Sequence, residues 1–444
     1  LNRLDEAVFA ARDCIAAYEG LAPSEERACM LASGYSCLGI IHLLTHEDDE
    51  MGLGFFRAAE YLGQCPSYNR YVFHQYINSC ASLYISSVQP GSPPGQFEIN
   101  INKLTPILKL LERQMKGYLI HLDDLARCEL LLYRCQYEEA AGWAIKAAYG
   151  TRKKKHDEME LRALMYLLRI YIARGKEYQF GDILKRLETL CESCGSARER
   201  KIADLVHAWY YLQLGEPNLV AEWIKLDFED DGEEDNFIST LLAYVKSRLL
   251  LAQKNYIALN AYISAKRDDF LIARHLLGTV DLLAVKAVAL LYAGERSEAL
   301  SALAEAYELA APEGIQASFV ELGSPMRALC KFARQRKDCA IPTVWLDLIA
   351  KKCSAYAKRT AFLLAAFQKE RGETLHALST LSFREREVLR CLSQGLTREE
   401  IAIVNHVSLD TVKSELKSVY AKLHAVNRAD AVRIALMEGH LWEA

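Results

Sequence analysis

Residues 381–439 read LSFREREVLRCLSQGLTREEIAIVNHVSLDTVKSELKSVYAKLHAVNRADAVRIALMEG, and the rest of the chain is organised around this stretch. It divides into four short helices, each with its own opening signal. Ser382 and Glu385 have the S-x-x-E spacing of a capping box, and Thr397 and Glu400 repeat it. Ser408 is placed to cap the third helix and Asn427 the fourth. Between caps, apolar residues recur at helical spacing: Val388, Leu389 and Leu392; Ile401 and Val404; Val412, Leu416, Val419 and Leu423; Ala431, Ile434 and Ala435. Arg384, Arg386 and Arg390 ride on the first helix, and Lys413, Lys417 and Lys422 on the third. A short helix, a tight turn and a longer cationic helix make a helix-turn-helix, whose second helix enters the DNA major groove. Lys413 and Lys417 are four residues apart, so they share one helical face and can enter the groove together.

The segments REREVLRCLSQGLTREEIA, VSLDTVKSELKSVYAKL and VNRADAV resemble the LuxR-type DNA-binding domain of bacterial transcription regulators, over about 60 residues without a gap. The resemblance implies that Lys413, Ser414 and Lys417 face base edges. It also implies that Thr397, Thr411, Tyr420 and Lys422 approach phosphates, and that the helix over 428–436 supports dimerisation. Three residues depart from the family pattern. Asn405 stands where a core leucine is usual, so its amide needs a partner. Glu415 puts a negative charge on the groove-facing helix, where histidine is frequent. His424 occupies a helix C-cap where glycine is usual.

At 444 residues and 51% hydrophobic, the chain is long enough for two or three domains, and 23 Gly and 10 Pro are few enough to favour helices. The net charge is only −4, unevenly spread. Residues 379–444 hold nine basic and nine acidic side chains, 331–378 hold ten and four, and 1–330 carry −10. The acidic body repels DNA; the basic segment either supplies attraction or is a solvated face. Thirteen cysteines at irregular spacing fit buried thiols in a reducing cytosol, and Cys191 and Cys194 form the one C-x-x-C, without a second pair. No membrane span is expected, because the most apolar run, 280–293, is interrupted by Asp281 and Lys286. No signal peptide is evident, and a chain starting at Leu1 inside an amphipathic helix reads as a piece of something longer.

Upstream, a unit recurs. ELLLYRCQYEEA, LRIYIARGKEYQF, WYYLQLGEPNLV, SRLLLAQKNYIAL and VALLYAGERSEA align on the turn residues Cys135, Gly175, Gly215, Lys254 and Gly294, spaced 40, 40, 39 and 40 apart. A fixed period with paired helices is the mark of an α-solenoid. Seven residues before each turn stand Cys128, Leu168, Ala208, Ser247 and Ala287, mostly small; five after stand Ala140, Phe180, Val220, Leu259 and Ala299, all apolar. The small position resembles that of tetratricopeptide (TPR) repeats. The expected fold is therefore all-α: a TPR-like solenoid of about eight helix pairs over 1–330, a basic helical extension and linker over 331–378 with a hinge at 368–379, and the helix-turn-helix domain over 379–444.

GERSEALSALAEAYELAAPEGIQASFVELGSPMRALCK resembles the end of the repeat region in MalT-like regulators, in which a nucleotide-binding ATPase precedes the sensor. No phosphate-binding loop occurs in this chain, so no cofactor is expected in it, and ATP only if such an ATPase precedes it. Val88–Gln96, with three prolines, reads as a loop, as does the acidic run 227–235, whose calcium-loop spacing fails at Ile238.

The first helix of each pair is expected to line a concave surface. Six residues before the turns this row holds Glu129, Arg169, Trp209, Arg248 and Val288; neighbouring rows add Tyr133 and Tyr244. Tyr133, Arg169, Trp209, Tyr244 and Arg248 would suit a sugar, carboxylate or phosphate; the alternative is that they make ion pairs between repeats or touch a neighbouring domain. His207 and Lys246 fall off the row and read as structural or exposed. No catalytic constellation occurs: the eleven histidines are dispersed and there is no G-x-S-x-G elbow. The resulting expectation is a non-enzymatic, cytoplasmic transcription regulator that binds double-stranded DNA and no membrane. It would be a monomer in isolation and self-associate on DNA, its solenoid sensing a small molecule or regulatory protein; the alternative is a scaffold without a small-molecule ligand.

Overall fold

A computed structural model describes residues 4–45, 48–65, 92–114, 120–175, 180–193, 195–226, 236–272, 276–336, 339–379, 382–393, 395–405, 407–423, 425, 427–428 and 430–432. Every regular element among them is helical. The chain divides into two compact units, Leu1–Thr360 and Ala361–Ala444.

In the first unit α1 (Leu4–Glu19), α2 (Glu25–Thr45), α3 (Asp48–Leu62) and α4 (Gln96–Gln114) lead into the register of repeats. The repeats follow as α5 (Leu122–Tyr133) with α6 (Tyr137–Lys153), α7 (Asp157–Arg174) with α8 (Phe180–Ser193), and α9 (Ala197–Gln213) with the one-turn α10 (Glu222–Lys225). Then come α11 (Asn236–Ala252) with α12 (Tyr256–Ile272), and α13 (Leu276–Ala293) with α14 (Arg296–Ala310). Each of the five turn residues has positive φ: 59° at Cys135, 70° at Gly175, 74° at Gly215, 57° at Lys254 and 89° at Gly294. The cause is a repeated Schellman cap. The N–H one residue beyond the turn donates to the carbonyl five residues back, as in Gln136 to Leu131 (2.8 Å), Glu216 to Tyr211 (2.9 Å), Asn255 to Leu250 (3.0 Å) and Glu295 to Leu290 (2.9 Å). The period of the sequence is thus the period of its helix stops.

Packing follows the same register. Cys128, Leu168, Ala208, Ser247 and Ala287 are each 1% exposed or less, and Ala140, Val220, Leu259 and Ala299 after the turns are buried too, at 2% or less. Buried carboxylates tie neighbouring helices together: Glu158 accepts from Arg198, one period away, at 3.0 and 3.1 Å, and Glu160 accepts from Arg186 (2.8 Å) and Arg152 (2.8 Å). One expected second helix is cut short. Pro217 starts a 3-10 turn, Pro217–Leu219, and only Glu222–Lys225 is α-helical before the acidic run, which lies outside the described residues. The Lys246 ammonium, 4% exposed, closes that short helix by donating to the carbonyls of Ile224, Lys225 and Leu226 at 3.0, 2.9 and 2.9 Å.

Contrary to expectation, α13 is long and apolar enough to cross a membrane, but it is a core helix of the first unit, with 14 residues buried. After it, α15 (Ala317–Val320) and α16 (Gly323–Arg334) precede α17 (Thr343–Ser379), a single helix of 37 residues. Leu346, Ile349, Cys353 and Tyr356 of α17 are in the core of the first unit, so residues 343–360 are part of the repeat body and not a linker. The stretch 368–379, expected as a hinge, has helical backbone.

In the second unit α18 (Phe383–Ser393), α19 (Arg398–Val404) and α20 (Leu409–Lys422) enclose a core of Val388, Leu389, Cys391, Leu392, Ile401, Val412, Leu416, Val419, Leu423 and Ala431. Val404, expected in that core, is exposed. It ends a seven-residue helix whose inward face is held by Ile401, and Val407 beyond the turn packs in its place. Ile434 and Ala435 lie outside the described residues, as do His424, Cys194 and most of the fourth helix.

Candidate functional site

The helix-turn-helix is set by its caps. Ser382 N–H donates to the Glu385 carboxylate (2.6 Å) and Glu385 N–H to Ser382 Oγ (3.3 Å), as the capping box requires. Thr397 and Glu400 form the second box, and Ser408 Oγ accepts from Thr411 N–H at 3.1 Å. With Val412, Leu416 and Val419 turned into the core, the opposite face of α20 presents Lys413, Ser414 and Lys417, all exposed. Lys413 rests against Asp410 at 3.2 Å, both well exposed, a contact worth little in water that phosphate or a base edge can displace. Thr397 is exposed at the N-cap of α19, and Thr411 is half-buried with its hydroxyl 2.8 Å from that of Ser408. Tyr420 packs its ring against the core.

Lys422 is committed inward. Its ammonium donates to both Glu385 oxygens at 2.9 and 2.8 Å, and Ser418 Oγ donates to the same carboxylate at 2.6 Å. Burial alone would raise the Glu385 carboxyl; Lys422, Ser418 and the Ser382 N–H outweigh it and hold it at about 2. Glu385 was legible as a cap, but its role as the clamp between α18 and α20 was not. Asn405 is half-buried at the C-cap of α19, so the amide is not sealed in the core. Glu415 is half-buried on α20.

The row projected on the repeats converges, but inside the first unit and not on an open surface. Tyr133, Arg169, Trp209, Tyr244 and Arg248 are all buried, because two acids from later elements meet them. Arg169 donates to Glu321 through Nε (3.0 Å) and Nη2 (3.2 Å), with its guanidinium over the rings of Tyr133 (5.0 Å) and Tyr244 (5.2 Å). The Tyr244 hydroxyl donates to Glu321 and accepts from Trp209 Nε1 at 3.3 Å; the Tyr133 hydroxyl donates to Asp281 at 3.0 Å. Arg248 stacks 3.5 Å from the Tyr244 ring centre, and its Nη2 lies 3.5 Å from Asp281 Oδ1 without hydrogen-bond geometry. Arg248 Nε and Nη2 and Asp281 Oδ1 are therefore buried with no hydrogen-bond partner among the described residues. Burial would lower the Arg169 guanidinium, but the Glu321 carboxylate outweighs it and raises it well above its ordinary value; burial pushes the Asp281 carboxyl up against the pull of Arg248. Glu129, partly buried nearby, is raised by burial to about 7. Asp281 left a trace in the sequence, a lone acid in an apolar helix. Glu321 left none.

Residues 379–435 match the model of the luxR family of bacterial regulatory proteins. Several curated transcription regulators are similar to part of this chain. The chain is 35% identical over 71 residues to the HTH-type transcriptional regulator AlkS of Alcanivorax borkumensis, covering 16% of this chain and 8% of that protein. It is 42% identical over 74 residues to the transcriptional regulatory protein YdfI of Bacillus subtilis, covering 17% and 32%. It is 46% identical over 57 residues to the probable transcriptional regulatory protein SgaR of Hyphomicrobium methylovorum, covering 13% and 27%. Each match spans less than a third of the relative's length.

Proposed function

From a luxR-family domain at residues 379–435, which makes DNA-binding transcription regulation the chain's business, we propose a division of labour. The helical-repeat unit receives a signal, and the domain at the C-terminus reads the operator. The carrying observation is the solvent face of α20: Lys413, Ser414 and Lys417 stand exposed on the side opposite Val412, Leu416 and Val419. Two lysines one helical turn apart suit base edges, while Thr397, Thr411 and Tyr420 suit the flanking phosphates. Lys422 serves the phosphates only by sharing its charge with Glu385.

The signal is a small molecule in this reading. Support comes from the buried Arg248 and Asp281, an ion pair at 3.5 Å without hydrogen-bond geometry, which leaves the repeat core imperfectly satisfied and hence able to rearrange. The protein works in the cytoplasm, and this chain holds no cofactor of its own, ATP entering only if an ATPase precedes it. Residues 379–444 are electrically neutral and residues 1–330 carry −10, so one protomer releases few counterions on DNA and two protomers must bind together for high affinity. Selection of operator sequences from a random pool, followed by titration near physiological salt, tests the docking face. Lys413→Ala with Lys417→Ala should relax base preference by about 1–3 kcal/mol per lost contact and leave helicity intact. Unchanged affinity and preference in the double variant would refute the docking face; nanomolar, non-cooperative binding by the monomer would refute the need for two protomers.

A further inference from the structure

The first unit contains a half-open cleft of 540 Å³ between the turn at Cys135, the C-terminal end of α7 and the inner face of α17. We propose that this cleft is the effector pocket of the repeat unit and that it takes a small molecule carrying a carboxylate or a phosphate; the inference rests on the sensor reading above. Its volume suits a metabolite-sized ligand.

Charge decides the class of ligand. Arg174, Lys352 and Arg359 all line the cleft, in a body that is otherwise acidic. Arg174 pairs with Glu138 at the exposed rim, but its Nε is buried with no hydrogen-bond partner among the described residues. Lys352 donates to a neutral group, the Gln316 side-chain oxygen, at 2.6 Å. Arg359 lies along bare Gly175, where a Cβ would be 3.5 Å from its side chain, and has no carboxylate partner among the described residues. Glu138 and Glu139, the acids of the cleft, are both exposed. Two uncompensated cations on a concave wall, with a guanidinium edge beside them, form a site for an anion and repel a cation. Tyr356, 2% exposed, supplies an aromatic floor, its hydroxyl held by Gln213 Oε1 at 2.8 Å.

The cleft is wired to the buried cluster. Gln316, which Lys352 holds by its side chain, donates its own N–H to the Tyr133 carbonyl at 2.7 Å, and Gln213 shares α9 with Trp209. An anion that draws Lys352 toward itself loosens its bond to Gln316, the strut beside Tyr133. Lys352, Ala355, Tyr356 and Arg359 occupy one face of α17, the helix that runs on to Ser379, where the luxR-family match begins. Occupancy of the cleft therefore acts directly on the helix that leads into the reading domain.

Calorimetric titration of the 444-residue chain at fixed ionic strength tests this with four probes: glucose 6-phosphate, citrate, inorganic phosphate and glucose. At least one of the three anions should bind at a single site, and glucose should not; the anion that binds identifies phosphate or carboxylate as the recognised group. Arg359→Glu and Lys352→Gln should each weaken binding by about tenfold or more, whereas Lys358→Glu, an exposed neighbour on the same helix outside the cleft, should not. Melting of each variant without ligand guards against misfolding, and Lys352→Gln, which removes one charge, serves if the reversal does not fold. No binding by any anion at about 10 mM, or binding equally reduced by Lys358→Glu, overturns the proposal. Operator affinity measured with and without the bound anion separates the two readings. An anion that binds through Arg359 without changing operator affinity sinks the sensor function and leaves the site standing. An operator response to another ligand with no anion binding sinks the site alone.

Discussion

Replacing Glu321 by glutamine should be among the most damaging single changes in the repeat unit. Arg169 and Glu321 have side chains 3% and 2% exposed and are joined at 3.0 Å. At that distance the gross attraction is about 5 kcal/mol at an effective dielectric of about 20. Glutamine keeps the shape and keeps an oxygen for the Tyr244 hydroxyl, but it leaves the Arg169 charge buried against two aromatic faces. Stranding one member of such a pair costs about 3–5 kcal/mol. With a urea dependence of about 3 kcal/mol per molar, the midpoint should fall by about 1–1.7 M, read by far-UV circular dichroism. Arg169→Met combined with Glu321→Gln removes the stranded charge and should return the midpoint to within about 0.3 M of the parent. If the single variant shifts the midpoint by less than that, or if the double variant is no better than the single, the Arg169–Glu321 pair is not the keystone of the cluster.

Three further outcomes follow from named geometry. Glu385 titrates at about 2 when folded, below the ordinary 4.5, so its contribution is fully present above about pH 4.5 and is lost as the pH falls toward 2. Solvent at Lys422, 36% exposed, limits that contribution to about 1–2 kcal/mol; hydrogen exchange of the α20 amides should show the acid loss in the parent and not in Glu385→Gln. A Cβ on Gly54 would sit 2.8 Å from the Gly39 nitrogen, so Gly54→Ala must push α2 and α3 apart and should cost about 1–3 kcal/mol by thermal unfolding; an unchanged melt would contradict the close crossing. Lys254→Gly should stabilise by up to about 1 kcal/mol, because a φ of 57° strains a residue with a side chain; a loss in the urea midpoint would show that its side chain matters more than its backbone.

What the sequence determined by itself lies within a few residues along the chain. The five turns at Cys135, Gly175, Gly215, Lys254 and Gly294 were legible because a helix stop is a local device, a left-handed residue and bonds reaching back three to five positions. The capping boxes at Ser382 and Thr397 were legible for the same reason, and so was the direction of the row from Tyr133 to Arg248, since a fixed period carries one helical face from repeat to repeat. What closes the row was decided by tertiary structure alone. Glu321 stands 152 residues from Arg169, and Asp281 stands 148 from Tyr133; no spacing rule links such pairs. The same holds for Lys422, which the sequence offers to phosphate and the fold turns toward Glu385, 37 residues earlier. Backbone hydrogen bonds are written in local order, but a buried charge is answered by whichever acid the packing brings within 3 Å, and only the packed chain specifies that.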